Sequence, residues 1–188
     1  MRERILATAT SMFVDRGYEA VAMREIAEAC GITKAALYYH FSGKADVLHA
    51  IFVAYLDDLA AVVEASGDKG TGEARLRWLV AGLFEVAPER RAVMRLAMHD
   101  VGKLDPEQRR EFAAAYRSRF IGPLQQILRD GAASGEFKPV DPEVAVWLLL
   151  GMLYPFFAPP GARRPAGADA VDALLDVFLH GLAEPASG

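Results

Sequence analysis

Apolar residues along this chain recur three and four positions apart, the spacing that places them on one face of a helix. Ile5, Leu6, Ala9, Met12 and Phe13 make a first stripe, closed by Gly17. Met23, Ile26, Ala27 and Cys30 make a second. Gly31 follows, where a residue past a helix end takes the left-handed conformation without a Cβ clash. Ile32 can then drop into the core, and Thr33 is a fitting N-cap for a third helix. In that helix Leu37 and Phe41 share one face, and Lys34 and Tyr38 share another. Ala27 leaves room for a close crossing, so residues 22–41 predict two short helices at a steep angle, a helix-turn-helix.

The pattern continues through the rest of the chain. Val47, Leu48, Ile51, Phe52, Tyr55, Leu56, Leu59 and Val63 predict a long fourth helix reaching about Ala65. The glycines of residues 66–72 lack the spacing of a phosphate loop and read as a connector. A fifth helix carries Leu76, Leu79, Val80, Leu83 and Phe84; Pro88 suits the first position of a sixth with Val93, Met94, Ala97 and Met98. The seventh spans about 106–133, with Phe112, Tyr116, Phe120, Leu124, Ile127 and Leu128 inward and a kink at Gly122-Pro123. Asp141-Pro142 opens the eighth, apolar on every side from 144 to 157 yet shorter than the ~20 residues of a membrane span. Such a helix needs partners on two sides, which predicts burial between its own domain and a second subunit. After a connector at 159–167 containing Arg163 and Arg164, Asp169 caps a ninth helix with Val171, Leu174, Leu175, Val177, Phe178 and Leu182. The fold class expected is all-α, with nine helices.

Charge sharpens one stretch. The 188 residues carry a net −4, so no global positive field draws the protein to nucleic acid. Within residues 1–48, Arg2, Arg4, Arg16, Arg24, Lys34 and Lys44 balance Glu3, Asp15, Glu19, Glu25, Glu28 and Asp46. No acid occurs between Glu28 and Asp46, although 25 residues of the chain are acidic. A phosphate-facing surface must lack carboxylates. Thr33, Lys34, Tyr38, Tyr39, His40 and Lys44 line that gap with donors and aromatic edges. Alone, the helix also suits a solvated face whose tyrosines pack on neighbours. With the preceding helix and the Gly turn, the gap favours DNA recognition.

The strings Met23-Arg24-Glu25-Ile26-Ala27, Gly31-Ile32-Thr33-Lys34 and Leu37-Tyr38-Tyr39-His40-Phe41 with Lys44 resemble the DNA-binding domain of the tetracycline-repressor (TetR/AcrR) family of bacterial regulators. The resemblance is close over residues 3–48 and extends to the remainder only in length and helical character. It implies a helix-turn-helix domain over 1–46 and a ligand-binding and dimerisation domain over 47–188. It also implies DNA contacts from Arg24, Thr33, Lys34, Ala35, Tyr38, Tyr39, His40 and Lys44, the last as a phosphate anchor. Two positions depart from the family pattern. Ala22 replaces a capping Ser or Thr, a change that typically costs about 1 kcal/mol, and Gly43 replaces a capping Ser.

The resemblance further implies a homodimer through helices at about 142–158 and 169–183, and a small-molecule effector bound between the fourth and eighth helices. Trp78, Phe84, Met94, Met98, His99, Phe112, Tyr116, Phe120 and Trp147 are candidate pocket walls; residue by residue they equally suit core filling. The chain from Gly135 onward also resembles family members that sense acyl-CoA thioesters. The expected function is a transcriptional repressor released from a palindromic operator on double-stranded DNA by a small apolar effector, acyl-CoA-like or another hydrophobic ligand. The alternative is a helical ligand-binding dimer that has lost DNA binding.

Other classes find little support. His40, His49, His99 and His180 show no metal-ligand spacing, and neither a nucleophile elbow nor a phosphate loop occurs. No enzyme, cofactor, metal or membrane role is expected. The single cysteine, Cys30, fits a small core residue in a reducing compartment, and the N-terminus lacks a secretion signal, so a cytoplasmic location is expected.

Overall fold

The computed structural model describes residues 1–67, 69–86, 88–157 and 168–181, and all regular structure in them is helical. The α-helices are α1 (Arg2–Arg16), α2 (Met23–Ala29), α3 (Lys34–His40), α4 (Lys44–Ala65), α5 (Gly72–Glu85), α6 (Pro88–Asp100), α7 (Pro106–Tyr116), α8 (Gly122–Ala133), α9 (Pro142–Leu153) and α10 (Ala168–His180). A π turn, Arg117–Ile121, joins α7 to α8. Taken as one rod, they leave nine helices among the described residues, as the sequence predicts.

Packing groups these elements into two compact units: Met1–Leu59 with Val86–Arg117, and Ala60–Glu85 with Ser118–Gly188. A linear division at residue 46 follows chain order, whereas packing follows contacts, because α6 lies against α1.

In the first unit, α1 buries Ile5, Ala9 and Phe13, and ends at Gly17, whose φ of 83° places it in the left-handed region. Its N–H still reaches Phe13 O at 2.9 Å. Ala22 has no side-chain acceptor, so only the reverse half of a capping box forms at α2: Ala22 N donates to Glu25 Oε2 at 2.7 Å. Arg16 holds the other carboxylate oxygen at 2.6 Å. The turn after α2 closes through Gly31, φ 62°, and Ile32 N donates to Ala27 O at 3.0 Å. Thr33 Oγ1 accepts from Ala36 N at 3.1 Å and caps α3. Before α4, where Gly43 offers no side chain, Asp46 Oδ2 accepts from Ser42 N at 2.9 Å. Further along α4, Phe52 meets Phe112 of α7 at 5.3 Å between centroids, and Phe112 stacks on Tyr116 at 6.1 Å.

In the second unit, α5 packs on α8 and α10, and α9 packs on α8 and α10. Gly131 of α8 admits Phe137 so closely that a methyl group there would lie 2.2 Å from the ring. The adjacent Glu136 then accepts from Gly72 N and Glu73 N, 2.8 Å each, placing a carboxylate on the positive end of α5.

Several boundaries differ from the sequence reading. The interruption in the seventh helix falls at the π turn, one residue ahead of Gly122-Pro123; the wider turn absorbs the hydrogen bond that Pro123 cannot donate. The eighth predicted helix stops at Leu153 and tightens into a 3-10 turn, Tyr154–Phe157, around Pro155. Its surface is divided: Ala145, Val146, Leu149, Leu150 and Leu153 are buried, whereas Val144, Trp147 and Leu148 are exposed. Asp169 lies in the first turn of α10, which starts at Ala168. Arg163, Arg164, Leu182 and the connector at 159–167 lie outside the described residues.

Two pH responses follow from the first unit. Burial, with a smaller contribution from Tyr116, raises the Tyr55 hydroxyl well above its usual value, and burial pushes Tyr116 up to about 12. Both protons are held more tightly in the folded chain, so the stability they confer is whole below pH 10 and drains as pH rises through about 12. Tyr55→Phe should raise the alkaline unfolding midpoint followed by circular dichroism; an unmoved midpoint would exonerate that hydroxyl. Glu25 behaves oppositely, since the Ala22 N–H and then Arg16 lower its carboxyl below the usual 4.5. Its contribution is present above pH 4.5 and is lost on acidification. Glu25→Gln should melt earlier than the parent at pH 7 and converge with it in acid, and parallel melting curves at all pH values would contradict this.

Candidate nucleic-acid interface

Helix α3 is seven residues long, and only Leu37 within it is fully buried. Leu37 and the following Phe41 are 0% and 2% exposed. Anchoring that face turns the opposite one outward: Tyr39 is 86% exposed and Tyr38 43%. Thr33, Lys34 and Ala35 are exposed as well, and His40 is half-buried. The tyrosines therefore pack on no core. Lys34 Nζ lies 5.6 Å from the centroid of the Tyr38 ring, and Tyr39 meets His40 edge-on at 5.3 Å.

Chemically, this edge offers hydroxyl, ammonium and imidazole groups at i, i+4 and neighbouring positions, a set that reaches base edges or phosphates. Thr33 Oγ1 accepts the capping bond and keeps its proton to donate. Arg24 is exposed on α2 and loosely paired with Glu28 at 3.6 Å. Of the two acids flanking the gap, Asp46 is tied back to Ser42.

Most other cations of this region are engaged inside the protein. Arg4 donates to Cys30 O at 2.9 Å, and Arg16 to Ala20 O at 3.1 Å as well as to Glu25. Lys44, expected from the resemblance as a phosphate anchor, donates to Tyr18 O at 2.7 Å, Val21 O at 2.8 Å and Glu19 O at 3.3 Å. Its ammonium also sits 4.2 Å from the centroid of the Tyr18 ring. The ammonium is thus held by loop carbonyls in the DNA-free chain. Arg2 lies over the Phe41 ring at 5.2 Å. Lys103, beyond α6, pairs with Glu19 and thereby reaches the same loop, 17–21, that Lys44 holds. Sequence reasoning missed these loop contacts; only the Ala22/Glu25 spacing of three carried a readable signal.

The candidate pocket residues divide between the units. In the first unit Met94 and Phe112 are buried and Tyr116 is largely so, but Met98 is 58% exposed. His99 is exposed too. In the second, Phe120 is fully buried, Trp78 lies beneath Lys69 at 4.9 Å, and Phe84 meets Phe156 edge-on at 6.1 Å. Trp147 is 53% exposed, on the outer face of α9. Met98 and Trp147 therefore do not wall a cavity inside their units. Among the described residues no group of three His, Cys, Asp or Glu is placed to hold a metal ion, and no helix is long and apolar enough to cross a membrane.

Comparison with known proteins agrees with this geometry. Residues 5–51 match the bacterial regulatory proteins of the tetR family, and residues 69–182 match the tetracyclin repressor-like C-terminal domain. The transcriptional regulator PfmR from Thermus thermophilus is 31% identical in crystal structure, with a TM-score of 0.87 and 98% of each chain covered. AibR, crystallised in complex with isovaleryl coenzyme A and operator DNA, is 29% identical, with a TM-score of 0.82 over 95% of this chain and 97% of that one. The HTH-type transcriptional repressor KstR2 of Rhodococcus jostii is 27% identical over 98% of this chain and 92% of its own. With its helix-turn-helix and its C-terminal helices both matched, this chain belongs to the TetR family of bacterial DNA-binding regulators.

Proposed function

We propose that the protein is a homodimeric repressor, released from a roughly palindromic operator by a small hydrophobic effector of the acyl-thioester class. The observation that carries this reading is the exposed, carboxylate-free edge of α3. Lys34, Tyr38 and His40 face the bases; Thr33, Tyr39 and Arg24 face phosphates; Ala35 lets the helix approach closely. The repressor role and the effector class draw support from KstR2 and from the isovaleryl coenzyme A bound to AibR.

Dimerisation through α9 and α10 is supported by the outer face of α9. Val144, Trp147 and Leu148 stand at i, i+3 and i+4 with 55%, 53% and 60% of their surface exposed. Val177 adds to it from α10, which packs on α9. A contiguous apolar stripe of this kind calls for a partner surface. A two-fold dimer sets two recognition helices about 34–36 Å apart, one turn of duplex.

For the acyl portion, Phe52, Met94, Phe112 and Tyr116 supply an aromatic and thioether environment in the first unit, with Trp78, Phe84 and Phe120 as further candidates in the second. Release acts through α6, which packs on α1 and whose following turn reaches the α1–α2 loop through Lys103 and Glu19. The effector works only by preferring the released conformation, typically by 1–3 kcal/mol of coupling.

Two measurements test the reading. Lys34→Ala should weaken operator binding roughly tenfold or more in a gel-shift titration at fixed salt, since a good base contact carries about 1–3 kcal/mol. Unchanged affinity would remove Lys34 from the interface. With Arg24 and Lys34 exposed in each subunit and Arg2 exposed over the Phe41 ring, the slope of log K against log salt should fall between about −3.5 and −5.5 for the dimer. No salt-dependent binding to any duplex would favour a ligand-binding dimer without DNA function.

A further inference from the structure

We propose that the Tyr55 hydroxyl donates to the carbonyl oxygen of the effector, so that the site accepts an acyl thioester or ester and rejects the matching free acid. The inference rests on the effector reading above; it adds a residue and a selectivity that the reading does not contain.

Tyr55 stands on the buried face of α4, one turn after Phe52. Phe52 meets Phe112 of α7 at 5.3 Å between centroids, and Phe112 stacks on Tyr116 at 6.1 Å. Side chains three and four residues apart share a helix face, so the two tyrosines prolong the Phe52–Phe112 contact from both helices. They are near enough for Tyr116 to add to the upward shift of the Tyr55 hydroxyl. Tyr55 is 7% exposed. Among the described residues its hydroxyl meets no hydrogen-bond partner. The oxygen is not walled off by protein atoms either, as the unpaired Arg75 Nε, Arg95 Nε and Gln108 Oε1 are. It therefore borders a space that another polar atom can enter.

A buried phenol without a partner costs free energy that phenylalanine, of nearly the same shape, would avoid. A ligand atom that accepts the proton removes that cost on binding. The neighbouring rings define what carries such an atom: an apolar chain against Phe52, Phe112 and Tyr116, interrupted by one acceptor. Charge then decides between acceptors. Burial first, then Tyr116 and Asp58, hold the Tyr55 proton above its usual range, so the group stays a neutral donor. A carboxylate brought to this position would lose its hydration and meet the Asp58 charge. A thioester or ester carbonyl carries no charge and escapes most of both costs.

The test uses the full-length protein and a straight-chain acyl-CoA series from butanoyl to palmitoyl, titrated by calorimetry. For the chain bound most tightly, the matching S-alkyl-CoA thioether, which lacks only the carbonyl oxygen, should bind the wild type roughly tenfold more weakly. Tyr55→Phe should lose the same factor for the thioester and nothing for the thioether, so that the two probes become equal. The wild type should also bind the methyl ester of that chain roughly tenfold or more tightly than its free acid. In infrared spectra of the thioester with an isotope-labelled carbonyl, the stretch should be lowered in the wild type and return to its apolar-solvent position in Tyr55→Phe. A role in packing alone would leave that stretch where it was. Equal wild-type binding of thioester and thioether, an unshifted carbonyl, or free acid bound as tightly as ester overturns the proposal without any variant having to fold. A folded Tyr55→Phe that keeps the parental preference for the thioester overturns it as well. A wild type that binds no member of the series overturns the acyl-thioester reading itself, an outcome distinct from these.

Discussion

Everything at the interface depends on how a seven-residue helix is held. Isolated helices shorter than about 12–15 residues are marginal in water, because nucleation is costly and few hydrogen bonds follow it. Helix α3 is well below that length and exists only because Leu37 and Phe41 are buried against the rest of its unit. The same burial fixes rotation about the helix axis, which is why Tyr38 and Tyr39 stand outward rather than packing inward. Thr33 at its start satisfies a backbone N–H that a helix this short cannot pair within itself. Stability and recognition are therefore two faces of one packing decision.

The second constraint is electrostatic. A chain of net −4 carrying a charge-balanced DNA-binding segment has few cations to spare, and the structure commits several of them to backbone carbonyls. Arg4 closes the end of α2, Arg16 joins the loop to the cap of α2, and Lys44 gathers three loop carbonyls. Each such bond ties a cation to the segment's own backbone. Affinity must then come from a small number of well-placed groups rather than from a diffuse positive field. Preorganisation takes the place of charge, because a rigid reader loses less entropy on binding.

The helical period made most of this fold legible. Leu37 and Phe41 sharing a face, Gly31 at the turn, Thr33 at the cap and Asp141-Pro142 at the start of α9 all follow from local chemistry and all stand where the pattern puts them. The exposed edge of α3 was legible for the same reason, being the complement of its buried face. Contacts between residues far apart in sequence were not. Lys44 and Tyr18 are separated by 26 positions, and nothing in their spacing marks a clasp. A lysine at a helix start reads as a solvent- or phosphate-facing charge, and sequence alone does not show that its long side chain also reaches back to the loop. Exposure was not legible either: Met98 and Trp147 are apolar in character, but their helices turn those positions outward, and periodicity in a uniformly apolar stretch such as 144–157 cannot say which side is covered.

That stretch also shows why dimer and reader belong to one argument. Helix α9 satisfies its own subunit with Val146, Leu149 and Leu153 and still presents Trp147 and Leu148 on the opposite face. Supplying more apolar surface than one subunit can cover is costly for a monomer and useful only if a second copy takes it up. In a two-fold assembly both recognition helices must meet their half-sites together, and consecutive base pairs are about 3.4 Å apart along the duplex. A reader with few phosphate contacts cannot tolerate an error of that size by sliding along the backbone, because its affinity resides in register. Under the proposed release mechanism an effector has to displace the recognition pair by only about one base step to abolish binding, and the elements within reach of that pair are those that grip the α1–α2 loop from α4 and from the turn after α6.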